Sequence, residues 1–173
     1  TLQEIRQDFV LIGLPAYRAL QVYRWLHRGV FSFEEMTDLS KNLRENLQQK
    51  YYISVAIIEK KQVSRYDKTI KYLLKLNDGE FIECVLMSYH HGYSLCISTQ
   101  VGCKMGCTFC ATGKSGFCRD LRASEMLSQI QTVQKDMEIR ISNIVLMGMG
   151  EPLDNYENVL RFLELVSSED GLN

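Results

Sequence analysis

The chain has 173 residues, 46% of them apolar and 24% charged, enough for a packed core and room for about one or two domains. Twenty basic against 21 acidic residues leave a net charge of −1, which excludes a histone-like polycation but not a local basic patch. Strictly apolar runs, such as 55–58 and 144–147, are at most four residues long and no apolar leader core is visible, so neither a membrane partner nor export is expected and the cytoplasm is the expected compartment.

Residues 1–51 read as a small helical domain. Leu2, Ile5, Phe9 and Ile12 fall at helical spacing. Pro15 is suited to opening a second helix, whose apolar stripe is Leu20, Tyr23 and Trp25–Leu26, with Gly29 at its end. Ser32 followed three residues later by Glu35 is a capping box, and Ser40 can cap a helix that carries Leu43 and Leu47. Residues 52–95 read as a connecting region of strands. Ile70, Tyr72, Leu74 and Leu76 alternate along one strand, and Asn77-Asp78-Gly79 supplies the turn to a return strand over 80–87.

From residue 96 the pattern turns to strand, glycine-containing loop and helix, repeated. A strand is expected over 95–101, a helix over 121–138 and a buried parallel strand over 144–147. A loop over 148–152 and a helix over 155–166 follow. The fold class is therefore α/β: helical domain 1–51, β-hairpin region 52–95, then the first strand–helix units over 96–173.

Six cysteines stand at 84, 96, 103, 107, 110 and 118, with none before them. Without an export signal, three cysteines in eight residues point to a metal or redox site rather than to disulfides. Cys103, Cys107 and Cys110 have the spacing C-x3-C-x2-C in a glycine-containing loop after a strand. Thiolates suit soft metals and iron–sulfur clusters, whereas structural zinc normally takes four protein ligands. A zinc site would recruit Cys118, His90 or His91. Cys84 alternates away from Glu83 and reads as a small packed hydrophobe. Cys96 on its own reads as a buried structural thiol. Glu83 shares a strand face with Phe81, Val85 and Met87, where desolvation would raise a carboxyl pKa toward that of a general base; a solvated strand face is the other reading.

The cysteine loop resembles the radical S-adenosylmethionine (SAM) signature. Val101-Gly102-Cys103, the run Cys107-Thr-Phe-Cys110-Ala-Thr-Gly-Lys-Ser-Gly116-Phe117 and Gly148-Met-Gly150-Glu151-Pro152-Leu153-Asp154-Asn155 are similar to the RlmN/Cfr group of RNA adenine methyltransferases. Pro152 favours the RlmN side, since the Cfr type, which methylates C8, more often has Ala there. The helical module is similar to the RlmN accessory domain. The resemblance implies a 4Fe–4S cluster on Cys103, Cys107 and Cys110 with SAM on its open iron, and Gly150 and Glu151 at the SAM amino group. It implies Glu83 as proton acceptor and Cys96 as the cysteine of a transient disulfide.

The implied reaction methylates C2 of adenine in 23S ribosomal RNA and in transfer RNAs. One SAM methylates a cysteine. A second, cleaved reductively, yields a radical that takes hydrogen from that methyl group, and the methylene radical adds to the base. Electrons would come from a donor such as flavodoxin or ferredoxin. A full eight-unit barrel takes about 250 residues. The family's six-unit barrel is therefore expected to be cut after its second helix, because Gly171-Leu172-Asn173 does not read as a natural end. The methyl-carrying cysteine is expected beyond Asn173, and the chain alone is expected to be inactive. Lys60, Lys61, Arg65, Lys68, Lys71 and Lys75 read equally as a phosphate-gripping patch or a solvated strand face. Lys114, Arg119 and Arg122 read as better placed to guide RNA. The competing function classes are a zinc-stabilised RNA-binding module without catalysis and a scaffold form that keeps the helical domain as an interaction module.

Overall fold

The computed structural model describes residues 1–169 and Gly171; the chain end at Leu172-Asn173, and Asp170, lie outside the described residues. Internal contacts divide the chain into two units, Thr1–Ile53 with Leu163–Asn173, and Ser54–Phe162.

The first unit holds α1 (Leu2–Leu11), α2 (Ala16–His27), a single 3₁₀ turn (Phe33–Glu35) and α3 (Lys41–Lys50). Local signals start these elements. The Glu35 carboxylate accepts the Ser32 N–H at 3.1 Å, and the Ser40 hydroxyl accepts the Leu43 N–H at 3.4 Å. Pro15 sits one position earlier than expected, as the N-cap of α2. The fully buried face of α2 is Ala19, Val22, Tyr23 and His27; Trp25 and Leu26 pack against the same core half-buried, with the Trp25 indole N–H donating to Asp38. Phe9, Val22, Phe33, Met36, Leu43 and Leu47 close the core.

The second unit is a five-stranded sheet in the order β1-β2-β3-β4-β7, from β1 (Ile57–Val63), β2 (Ile70–Lys75), β3 (Phe81–Tyr89), β4 (Gly92–Cys96) and β7 (Ile141–Val145). The first three pairings are antiparallel and β4–β7 is parallel. Between β4 and β7 the chain forms β5 (Gln100–Gly102), the short α4 (Ala111–Lys114), β6 (Phe117–Asp120) and α5 (Ala123–Met137); α6 (Tyr156–Val166) follows β7. Strands β5 and β6 pair as a separate antiparallel ribbon. The Asp-Gly turn closes as expected, with the Leu76 N–H donating to the Glu80 carbonyl at 2.8 Å and φ of +93° at Gly79.

One sheet face is apolar and fully buried: Tyr72, Leu74, Ile82, Cys84, Leu86 and Leu95. Helix α5 supplies Met126, Ile130 and Val133 to the core and is tied to the sheet by Tyr72 Oη donating to Asp136 (2.8 Å) and Thr132 Oγ1 donating to the Ala56 carbonyl (2.7 Å). The other face carries Lys71, Glu83, Val85 and Cys96, half-buried or exposed.

Candidate functional site

The expected continuous strand over 95–101 is broken. β4 ends at Cys96 and β5 begins at Gln100, and the residues between are buried without strand neighbours on both sides. Buried peptide groups need partners. Gln129 of α5, fully buried, supplies them: its Oε1 accepts the Ser98 N–H and its Nε2 donates to the Ser98 carbonyl, both at 2.9 Å. The Ser98 hydroxyl donates to the Glu83 carbonyl (2.6 Å) and accepts the Met149 N–H (2.8 Å). Asn155 Nδ2 donates to the carbonyls of Thr99 and Leu121, each at 2.8 Å. A side-chain scaffold thus replaces the ladder where two functional loops begin.

The loop 148–154 lies directly on this break. The Gly148 N–H donates to the Ile97 carbonyl at 3.0 Å, and the N–H groups of Thr99 and Gln100 donate to the Met149 carbonyl at 2.9 and 3.1 Å. A Cβ at 148 would stand 2.6 Å from the Ile97 oxygen. One at 150, where φ is +98°, would stand 2.5 Å from Gln100 Cβ. Close approach does require these glycines, and here it is approach to the chain's own strand. Gln100, fully buried, completes the contact by accepting the Glu151 N–H at 3.0 Å.

The cysteine loop leaves β5 at Gly102, whose φ is +75° and whose absent Cβ would overlap the Gly116 carbonyl at 1.9 Å. The Cys103 N–H donates to that carbonyl at 2.9 Å. Cys103 is buried, Cys110 half-buried and Cys107 exposed; all six cysteines are free thiols, with no disulfide among the described residues. The Cys110 thiol is held below its ordinary range by backbone N–H groups of Gly113 and then Thr112, which favour the thiolate. Cys103, Cys107 and Cys110 therefore share one loop, but no three His, Cys, Asp or Glu side chains among the described residues converge into a metal-holding group. The fit to a cluster lies in the donor chemistry: three free thiols on one short stretch, one of them held toward thiolate. Cys118, His90 and His91 are not drawn in as further ligands.

Glu83 and Cys96 stand on the same sheet face, since Val85 pairs with Cys96 and Glu83 lies two residues from Val85. The desolvated surroundings expected for Glu83 are not found. Its side chain is 41% exposed and its Oε1 meets Lys71 Nζ at 2.8 Å. Lys71 and Glu83 line, with Lys60, Gln62 and Leu73, a depression of about 200 Å³. Burial raises the Cys96 thiol above its ordinary range and pushes that of Cys84, behind the sheet, far higher. Arg119, read as an RNA guide, is committed elsewhere: it bridges both Glu125 oxygens (2.8 and 2.9 Å) and the Asp78 carboxylate.

Comparison with known proteins bears on this arrangement. Residues 1–53 match the family described as ribosomal RNA large subunit methyltransferase N-terminal domain, and residues 97–172 match the radical SAM superfamily. The chain is 53% identical, over its whole length, to half of a protein of Alkaliphilus oremlandii described as a probable dual-specificity RNA methyltransferase RlmN. It is 48% identical over 98% of its length to a protein of the same description from Clostridium acetobutylicum, covering 49% of it.

The chain is similar to RlmN proteins over about half of their length.

A solved radical SAM methyltransferase from Sphaerobacter thermophilus, 37% identical, superposes on all of this chain and 52% of its own with a TM-score of 0.92. The α/β architecture is thus that of a partial radical SAM fold preceded in sequence by a helical region, and the chain spans about half the length of the curated RlmN relatives it matches. Both loops of the candidate site fall inside the radical SAM match, which begins one residue after β4. The residues to which the sequence gave no role are Gln100, Asp120, Gln129, Asp154 and Asn155. Each acts through a partner distant in sequence, and Lys104, inside the cysteine motif, reaches Asp154 at 2.8 Å.

Proposed function

We propose that this chain carries the cluster- and SAM-binding part of a radical SAM methyltransferase that acts on RNA. Its substrate is C2 of adenine in 23S ribosomal RNA and in transfer RNAs. The relatives' description as dual-specificity RNA methyltransferases supports the RNA substrate. The observation that carries the reading is the joint presence, on one strand break, of the three-thiol loop and the Gly148–Asp154 loop, joined by the Lys104–Asp154 ion pair. Neither a zinc module nor a scaffold requires the second loop.

Cys103, Cys107 and Cys110 are the residues that would hold a 4Fe–4S cluster. The backbone at Gly150 and Glu151 is the part that would meet the SAM amino group. Bound there, the cluster and SAM supply reductive radical chemistry, needed because adenine C2 is a poor nucleophile. Electrons reach it from an external donor such as flavodoxin or ferredoxin. The chain's own residues orient and protect. Glu83, on the open sheet face with Cys96 and ion-paired to Lys71, accepts the proton lost from C2. Cys96 enters a transient disulfide at product release. The target base reaches the site unstacked, as in loops and splayed single strands. No helix of the described residues is long and apolar enough to cross a membrane, and the cytoplasm, where ribosomal and transfer RNA reside, is the proposed compartment.

The test is iron, sulfide and zinc analysis after anaerobic reconstitution, with Cys107→Ala alongside. Iron and sulfide at about four each per chain, lost in the variant, support the reading. Stoichiometric zinc without iron overturns it.

A further inference from the structure

The two loops of the candidate site are joined by a chain of side chains. Gln100 is fully buried and its amide is fully used: Oε1 accepts the Glu151 N–H at 3.0 Å, and the two Nε2 hydrogens go to Asp120 Oδ1 and Asp154 Oδ2, both at 2.8 Å. This fixes the amide's orientation, since a flipped amide would turn Nε2 toward an N–H and Oε1 toward two carboxylates. Asp154 receives a second donor, Lys104 Nζ at 2.8 Å, from the residue directly after Cys103. Lys104 also lies over the Phe117 ring, 4.9 Å from its centroid, at the far end of the same loop. The path therefore runs from the cysteine loop through Lys104, Asp154 and Gln100 to the Glu151 backbone, entirely within the unit Ser54–Phe162.

We propose that Gln100, Asp154 and Lys104 are positioning residues that latch the cysteine loop to the Gly148–Asp154 loop, so that the thiols and the Glu151 backbone are set in one register. This deepens the reading above and rests on it for the identity of SAM as the molecule addressed by both loops. The latch itself is a property of the chain alone. It is asymmetric in strength. Gln100 and Asp120 form its buried or half-buried part, whereas the Lys104–Asp154 pair is open to water, with Lys104 half exposed. The Lys104 link is thus the part whose removal leaves the fold intact and loosens only the coupling.

The test uses amide hydrogen exchange on the chain as it stands, with Lys104→Ala, Lys104→Arg and Asp154→Ala. Lys104→Ala is expected to speed exchange over residues 148–154 several-fold while α5 exchanges as before, and Lys104→Arg to restore the original rate. Asp154→Ala is expected to speed exchange over 103–116. Unchanged exchange at 148–154 in Lys104→Ala overturns the latch, as does failure of Lys104→Arg to restore it. With reconstituted protein, the SAM-induced change in the electron paramagnetic resonance spectrum of the reduced cluster is expected to need about tenfold more SAM in Lys104→Ala, at equal iron content. An unchanged SAM requirement overturns the positioning role. Absence of iron in every form overturns the cluster reading instead, and the exchange result then decides the latch alone.

Discussion

Glu83 and Cys96 occupy one face of the sheet, offset by a single diagonal step across the β3–β4 pairing, with Lys71 reaching Glu83 from β2 at 2.8 Å. The diagonal places a carboxylate and a thiol on the same face of adjacent strands. Ser98, hydrogen-bonded to the Glu83 carbonyl, continues the row and links it to the loop that follows β7.

That link rests on one amide. Replacing Gln129 by Leu would leave a buried N–H and a buried C=O of Ser98 without partners, a loss of about 2–4 kcal/mol in urea denaturation. Gln129→Glu keeps the acceptor but cannot donate to the Ser98 carbonyl, and is expected to fall at least as far because it also buries a charge. A loss below about 0.5 kcal/mol in Gln129→Leu would show that the strand break needs no such support.

Two glycines with similar φ separate strain from crowding. At Gly79 φ is +93° and nothing lies within 4 Å of a new Cβ, so Gly79→Ala should cost only the left-handed penalty of about 1 kcal/mol. At Gly150 φ is +98° and the Cβ would meet the Gln100 side chain and its backbone nitrogen, so Gly150→Ala should cost about 2–4 kcal/mol. Equal thermal shifts for the two variants would contradict the close packing of the 148–154 loop on β5.

The thiols should separate by pH. Cys110, its thiolate favoured by the Gly113 and Thr112 amides, is expected to be alkylated by iodoacetamide at lower pH than a free cysteine. Cys96, raised by burial, should require higher pH, and Cys84 should stay unmodified until the chain unfolds. Peptide mass spectrometry of alkylated protein from pH 6 to 9 reads the order directly, and faster modification of Cys96 than of Cys110 would reverse it.

The helical unit should be acid-sensitive through His27. Burial lowers this imidazole to about 4 from an ordinary 6.5, and its Nδ1 has no hydrogen-bond partner among the described residues. The unfolded chain therefore binds a proton that the folded one refuses, so stability falls as pH drops from 6.5 toward about 4. His27→Phe is expected to flatten that part of the urea-midpoint profile. A profile with the same slope in the variant would assign the sensitivity to another group.

Legibility in the sequence tracked the range of the interaction. Ser32, Ser40 and the Asp78-Gly79 turn were readable because each acts within four residues of itself. The three clustered cysteines were readable as a set because they fall in one short stretch with ligand-like spacing. The break after Cys96 was invisible: no Gly or Pro marks it, and it exists because Gln129, 31 residues on, can replace a strand neighbour. The ion pair on Glu83 was equally hidden, since Lys71 becomes its neighbour only through the β2–β3 register. Asp154 and Asn155 were readable only as part of the 148–155 motif, and Gln100 not at all, because the partners that fasten them across the site lie 20 to 56 residues away.

The side-chain scaffold at Ser98 also limits what can vary there. A ladder tolerates sliding, because each backbone group finds an equivalent neighbour one step along. An amide that grips both sides of a single peptide does not, because only one residue can sit between its two atoms. Lengthening the segment 97–100 by one residue would misalign the Gln129 grip, the Met149 contacts and the Gln100 amide together. The same insertion at the exposed hairpin tip around Tyr66 would disturb no buried contact. The spacing between β4 and the first cysteine is therefore a fixed length set by α5, and drift in that length is the kind of change this fold cannot absorb.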